Sequence, residues 1–216
     1  MRDIFEAELA QLGDNLIQLS EKVHTAIITA GQAFLTADVA KAQQVITDDD
    51  IIDDLARDTD DRAVLLLAQQ APVATDLRIV VSTLRMSATL ERMGDLAQHI
   101  AQVARRAYPN LAVPETALPV FTALQDASVR LSTRVTKLLQ TRDLSEANAI
   151  ERDDDIIDEL HHDTFSTLLS PHWNGSTQET IDITLVGRYY ERFGDHGVSI
   201  ARRVIYLITG TDTAHT

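Results

Sequence analysis

The chain has 216 residues, 44% hydrophobic and 24% charged, a balance that permits a buried core and excludes intrinsic disorder. Its formal net charge of −14 argues against a phosphate-backbone partner, so no nucleic acid is expected; the acidity fits cation binding, docking to a basic surface, or solubility alone. The absence of cysteine removes disulfides, thiolate metal sites and cysteine nucleophiles, which leaves oxygen and nitrogen as metal donors.

Eight glycines and five prolines, with long stretches free of both, favour an all-α protein. The opening residues Met1-Arg2-Asp3-Ile4-Phe5-Glu6 carry acid where a signal peptide would have a basic and then apolar run. No apolar run reaches transmembrane length, and a cytoplasmic protein is expected. Helices are predicted over residues 3–35, 38–70 and 76–108. The break Gln70-Ala71-Pro72-Val73-Ala74-Thr75-Asp76 joins a proline to a threonine able to cap the third helix, with acid in its first turn. Two prolines within Tyr108-Pro109-Asn110-Leu111-Ala112-Val113-Pro114 cannot continue a helix, and this segment reads as a linker. Three more helices are predicted over residues 116–140, 143–169 and 177–209.

The second half repeats the first. Residues 36–55 align with 141–160 at ten identities, among them Thr36/Thr141, Asp38/Asp143, Ala42/Ala147, Leu55/Leu160 and the run Asp48-Asp49-Asp50-Ile51-Ile52-Asp53 against Asp153-Asp154-Asp155-Ile156-Ile157-Asp158. Glu91-Arg92-Met93-Gly94-Asp95 returns as Glu191-Arg192-Phe193-Gly194-Asp195, at an offset about five residues shorter. Two tandem three-helix bundles related by internal duplication are predicted, residues 1–109 and 110–216, with antiparallel neighbours joined by short connections.

Carboxylates four residues apart stand one turn above another on a helix face and repel each other. Four such pairs occur: Asp49/Asp53, Glu91/Asp95, Asp154/Asp158 and Glu191/Asp195. By helical wheel, Glu91 and Asp95 lie off the stripe of Met86, Leu90, Met93 and Ala97, and Asp49 and Asp53 lie away from Ile51, Ile52 and Leu55. If the second and third helices of each copy pack with these faces adjacent, four carboxylates share one patch, a hard oxygen site for Mg²⁺, Ca²⁺, Mn²⁺ or iron. The competing reading is a solvated acidic face, with Arg92 neutralising Asp95 at i,i+3 and Arg192 neutralising Asp195. Asp50/Asp54 and Asp155/Glu159 share the spacing, so spacing alone does not fix the ligands.

Gly94 and Gly194 cost about 1 kcal/mol each against alanine within a helix, which points to close approach by another helix or a ligand. His99 could extend the first metal face, but the second copy has Ser199 there; the other histidines singled out, His161, His162, His172 and His196, read as surface or packing residues and Trp173 as an inter-helix anchor. No glycine-rich phosphate loop or nucleophile elbow occurs, and the Glu-x-x-His pairing of di-iron bundles is missing because Gly94 and Gly194 follow Glu91 and Glu191 at that spacing.

These motifs, together with Pro72-Val73-Ala74-Thr75-Asp76-Leu77-Arg78, make the chain resemble the PhoU family of bacterial phosphate-transport regulators over nearly its whole length. The resemblance implies paired three-helix bundles, commonly as a homodimer, without catalysis. It implies acidic faces that hold iron, zinc, manganese or magnesium, with Asp49, Asp53, Glu91, Asp95, Asp154, Asp158, Glu191 and Asp195 as ligands. It also implies restraint of phosphate uptake and of the starvation response through the phosphate ABC transporter ATPase and a sensor histidine kinase, with the membrane reached only through those partners. Two departures stand out: Ser170-Pro171-His172-Trp173-Asn174-Gly175 replaces the proline turn in the second copy, and His196-Gly197 follows Asp195. Arg78, Arg105, Arg106, Arg202 and Arg203 are an alternative docking surface. A carboxylate-bridged metalloenzyme and a metal-free helical adaptor are the other readings.

Overall fold

The computed structural model describes residues 2–211, and within them six helices and no strand are found. They are α1 (Arg2–Thr36), α2 (Val39–Gln70), α3 (Ala74–Ala107), α4 (Leu118–Thr141), α5 (Leu144–Leu168) and α6 (Thr177–Thr209). The predicted helices are all present.

The duplicated Thr-x-Asp is a helix stop joined to a helix start. Thr36 and Thr141 each donate their hydroxyl to the carbonyl four residues back, Gln32 at 2.7 Å and Lys137 at 2.8 Å. Ala37 and Arg142 then turn the chain in the left-handed region, at φ 54° and 56°. Asp38 caps α2 by accepting from the amides of Ala40 and Lys41, and Asp143 caps α5 by accepting from Ser145. The predicted cap of α3 is not Thr75. That residue lies inside the first turn, and the N-cap is Val73, whose side chain has no oxygen to offer. At α6, Ser176 and Glu179 form a reciprocal capping box, and Gly210 closes the helix at φ 75°.

Each set of three helices forms a bundle, and the two bundles lie side by side. α2 packs only on α1 and α3, α5 only on α4 and α6, while α1 meets α4 and α3 meets α6 across the join. Along α3 and α6 the partners run in opposite directions: Arg78 beside Gly210, His99 against Tyr189 with rings 5.2 Å apart, and Arg106 paired with Asp182. This antiparallel register brings Gly94 and Gly194, and with them both Glu-Arg-x-Gly-Asp motifs, to the middle of the crossing.

One core runs through both bundles, from Leu19, Ile27 and Phe34 of α1 to Phe121 and Leu131 of α4 and Tyr190 and Phe193 of α6. Each large side chain buried in it contributes roughly 1.5–3 kcal/mol. Two of its internal polar groups are satisfied across the join: Tyr190 donates to Gln125 Oε1 at 2.8 Å, and Gln125 Nε2 donates to the carbonyl of Ile27 at 3.0 Å. A smaller cluster of Leu12, Ala63, Leu66 and Val80 fills the outer end of the first bundle, where α1 and α2 are longer than α4 and α5.

Candidate metal centre

Val45, Asp49, Ile52 and Ala56 form one buried stripe on α2, at the four- and three-residue steps of a helix face. Asp49 is therefore not away from the apolar residues as predicted; it sits among them at 6% exposure, while Ile51 faces outward. Opposite it α3 presents Gly94. A Cβ added there would lie 3.0 Å from Ile52 Cγ2 and 3.5 Å from Asp49 Oδ1, so the bare backbone lets α2 approach. The approach aligns the acids of the two helices. One oxygen from each of Asp49, Asp53 and Asp95 lies within 4.8 Å of the other two, while Glu91 stays outside this trio.

Burial and then repulsion from Asp53 and Asp95 push the Asp49 carboxyl up to about 6. Asp53 and Glu91 are raised in the same way, by burial first and by Asp95 next. Arg92 relieves the outer edge, donating to Asp95 Oδ2 at 2.7 Å and lying 3.5 Å from Glu91 Oε2. Gln98 steadies the inner one: its Nε2 donates to Asp49 Oδ2 at 2.6 Å, and its own Oε1 accepts from Gln102 at 2.8 Å. Asp53 Oδ1 is left buried without a hydrogen-bond partner. Three converging carboxylates with an orphaned oxygen fit a hard cation, which would take oxygen donors.

In the second copy Asp154 is pushed up to about 7, by burial and then by Asp158, Asp195, Asp155 and Glu191. Asp154 Oδ1 and Glu191 Oε2 are both buried without partners. A Cβ on Gly194 would overlap Asp154 Oδ1, so this glycine also makes room for α5 and its acid. The four acids nevertheless converge less tightly, and among the described residues only the first copy brings three carboxylate oxygens within 4.8 Å. Glu191 is drawn back along its own helix into an ion pair with Arg188, where the first copy has Ala88. Asp158 and Asp195 are exposed, and the predicted Arg192–Asp195 pair is absent among the described residues.

A family model described as the PhoU domain matches the chain twice, over residues 16–104 and 123–204. The chain belongs to the PhoU family. It is 40% identical to a phosphate-specific transport system accessory protein, PhoU homolog 1 of Mycobacterium leprae, over 98% of this chain and 95% of that one. It is 39% identical to PhoU homolog 2 of Mycobacterium tuberculosis, over 97% of this chain and 99% of the relative. The crystal structure of PhoU from Pseudomonas aeruginosa superposes with a TM-score of 0.84 at 26% identity, covering 96% of this chain and all of that one, 100%. The PhoU structure from Streptococcus pneumoniae shares the fold at a TM-score of 0.83 and 24% identity, covering 97% and 99%.

Other residues singled out in this PhoU-family sequence have structural partners. The His99 ring packs on Tyr189 at the bundle join, and His161 packs edge-on against Phe165. His196 is half-buried, and burial followed by Arg192 lowers its pKa. Trp173 Nε1 donates to Thr180 Oγ1 at 3.0 Å while its ring packs on the core, an anchor as expected. Arg106 is not a free docking cation: it pairs with Asp182, which is 4% exposed and also accepts from Gln178. Arg105 donates to Gln43, and Arg78 and Arg203 lie over the Tyr206 ring. The spacing arguments also passed over a clamp between α4 and α5. Arg134 Nε donates to Asp153 at 2.7 Å and Lys137 to Glu146 at 2.6 Å, both acids being buried. Its signal was a row of Arg130, Arg134 and Lys137 at helical spacing, opposite two acids that the first copy leaves as Lys41 and an exposed Asp48.

Proposed function

We propose that this protein is a non-catalytic regulator of phosphate uptake that docks on a phosphate-specific transporter and on the histidine kinase reporting phosphate supply. The observation that carries the proposal is the match of the PhoU family model to both halves, with relatives named as phosphate-specific transport system accessory proteins aligned over nearly the full chain. To bias a partner between transporting and restrained states, the protein must bind those states with different affinities. The duplicated fold supplies a rigid two-sided body for such contacts.

The acidic faces are proposed as cation sites, the first formed by Asp49, Asp53 and Asp95 with Glu91 at its edge, the second by Asp154, Asp158, Glu191 and Asp195. Their all-oxygen donor sets favour iron, manganese or magnesium over softer ions, with zinc accessible through carboxylates. A bound cation would offset the burial and the repulsion that raise Asp49 and Asp154 and would tie α2 to α3 and α5 to α6. Its role here is to hold the helix faces in one arrangement for docking. Deleting the gene is the test: uptake of labelled phosphate and alkaline phosphatase output should rise in phosphate-replete cells. Unchanged values of both would overturn the proposal.

A further inference from the structure

The internal duplication creates two related clefts at opposite ends of the join between the bundles, and among the described residues only one of them is filled. At the filled end, Phe34 of α1 and Phe121 of α4 meet with ring centroids 5.5 Å apart, Ile183 and Val186 of α6 are buried, and Ala112 and Val113 of the linker join the same core at 3% and 1% exposure. Ala112 and Leu111 line the mouth there beside Ala107 and Gln178. A bent piece of the linker thus plugs this end.

At the other end four of the corresponding positions are smaller, although Met86 stands for Val186 and Leu207 for Ala107. By the offsets of the repeat, Leu139 stands for Phe34, Leu16 for Phe121, Thr83 for Ile183 and Gly13 for Leu118. No heavy atom lies within 4 Å of the place where a Cβ of Gly13 would sit. The result is a cavity of about 470 Å³, lined by Leu16, Thr83, Met86, Leu139, Leu207 and other apolar residues of α1, α3, α4 and α6. Its size lies within the range of small-ligand and peptide-anchor sites. At the rim Arg142 lines the cavity, and among the described residues its side chain has no ion-pair or hydrogen-bond partner. It occupies the left-handed position that Ala37 fills in the first copy, so an unpaired cation stands here, whereas Arg106 at the plugged end is paired with Asp182.

We propose that this cleft is a docking site for a short peptide segment of a partner protein that carries small aliphatic side chains and one carboxylate. The plugged end shows the kind of occupant such a cleft takes, the buried Ala112 and Val113 followed by Pro114 and an exposed Glu115, and Arg142 supplies the complementary charge for the acid. The site shares no residue with the carboxylate faces, so it stands independently of the cation proposal.

The test titrates the full-length protein with a capped synthetic peptide of the linker sequence, residues 110–115, and follows side-chain methyl resonances. Saturable shifts of Leu16, Met86, Leu139 and Leu207 are expected below about 1 mM, weakened about tenfold by Arg142→Ala, a change that Ala37 shows the turn accepts. Copying the closed end with Gly13→Leu and Thr83→Ile should abolish the shifts, while circular dichroism confirms that the helices persist. The proposal is overturned by the absence of saturable shifts up to about 2 mM, by shifts insensitive to both variants, or by decanoate saturating these methyls when the peptide does not.

Discussion

Replacing Asp154 by Asn should stabilise the metal-free protein at alkaline pH and do nothing at acid pH. The Asp154 carboxyl is held at about 7 in the folded chain against an ordinary 3.8, so the folded state binds its proton more tightly than the unfolded state does. Its contribution to stability is fully present below about pH 4 and is lost as pH rises through about 7. Full realisation of that rise corresponds to roughly 4 kcal/mol, and solvent screening at a half-buried group reduces this to roughly 1–2 kcal/mol. The asparagine is uncharged throughout. In excess chelator, the variant and parent should therefore melt together near pH 4.5, and at pH 8 the variant should melt roughly 2–8 °C higher. Added Mn²⁺ at pH 8 should narrow or reverse the gap, because the cation needs the carboxylate that the variant lacks. A variant that is less stable in chelator at pH 8, or a gap constant from pH 4.5 to 8, would refute the claim that Asp154 is a charge held against its own repulsion.

Other consequences follow from the same geometry. Saturating Mn²⁺ should raise the stability of the parent by roughly RT ln(1 + [L]/Kd), about 2.7 kcal/mol at a hundredfold excess over Kd, and Asp53→Asn combined with Asp95→Asn should remove most of that gain in thermal melts. Arg106→Ala leaves Asp182 buried with Gln178 as its remaining donor, and urea unfolding should show a loss of about 1–3 kcal/mol. Tyr190→Phe deprives Gln125 Oε1 of its donor inside the core and should cost about 1–2 kcal/mol, with the urea slope unchanged. Gly194→Ala should weaken the melting response to Mn²⁺, because its Cβ would displace the Asp154 carboxylate.

Much of the fold was legible because local chemistry set it. The duplicated Thr36/Thr141 and Asp38/Asp143 terminate one helix and cap the next using only neighbouring backbone groups, and Pro109 and Pro114 break the chain wherever they stand. Thr75 misled because the cap requires a backbone conformation as well as a hydroxyl, and the chain enters α3 through Val73 instead. Asp49 departs from the expectation because Ile51 and Ile52 point about 100° apart on the helix and do not lie on the same side of it here. Ile52 is buried and carries Asp49 in with it, whereas Ile51 is exposed.

The sequence by itself determined the all-α class, the duplication, the helix ends and the eight candidate acids, since these depend on spacing and on groups within a turn of each other. Which acids converge was decided by the tertiary structure. Gly94 lets α2 close on α3 and join Asp49 and Asp53 to Asp95, while among the described residues the second copy's aspartates make no such trio. The same holds for the two ends of the join, where a few smaller side chains and the path of the linker leave one cleft filled and its counterpart open. Distances between helices depend on the sum of side chains packed across them, and a spacing rule along one helix carries no information about that sum.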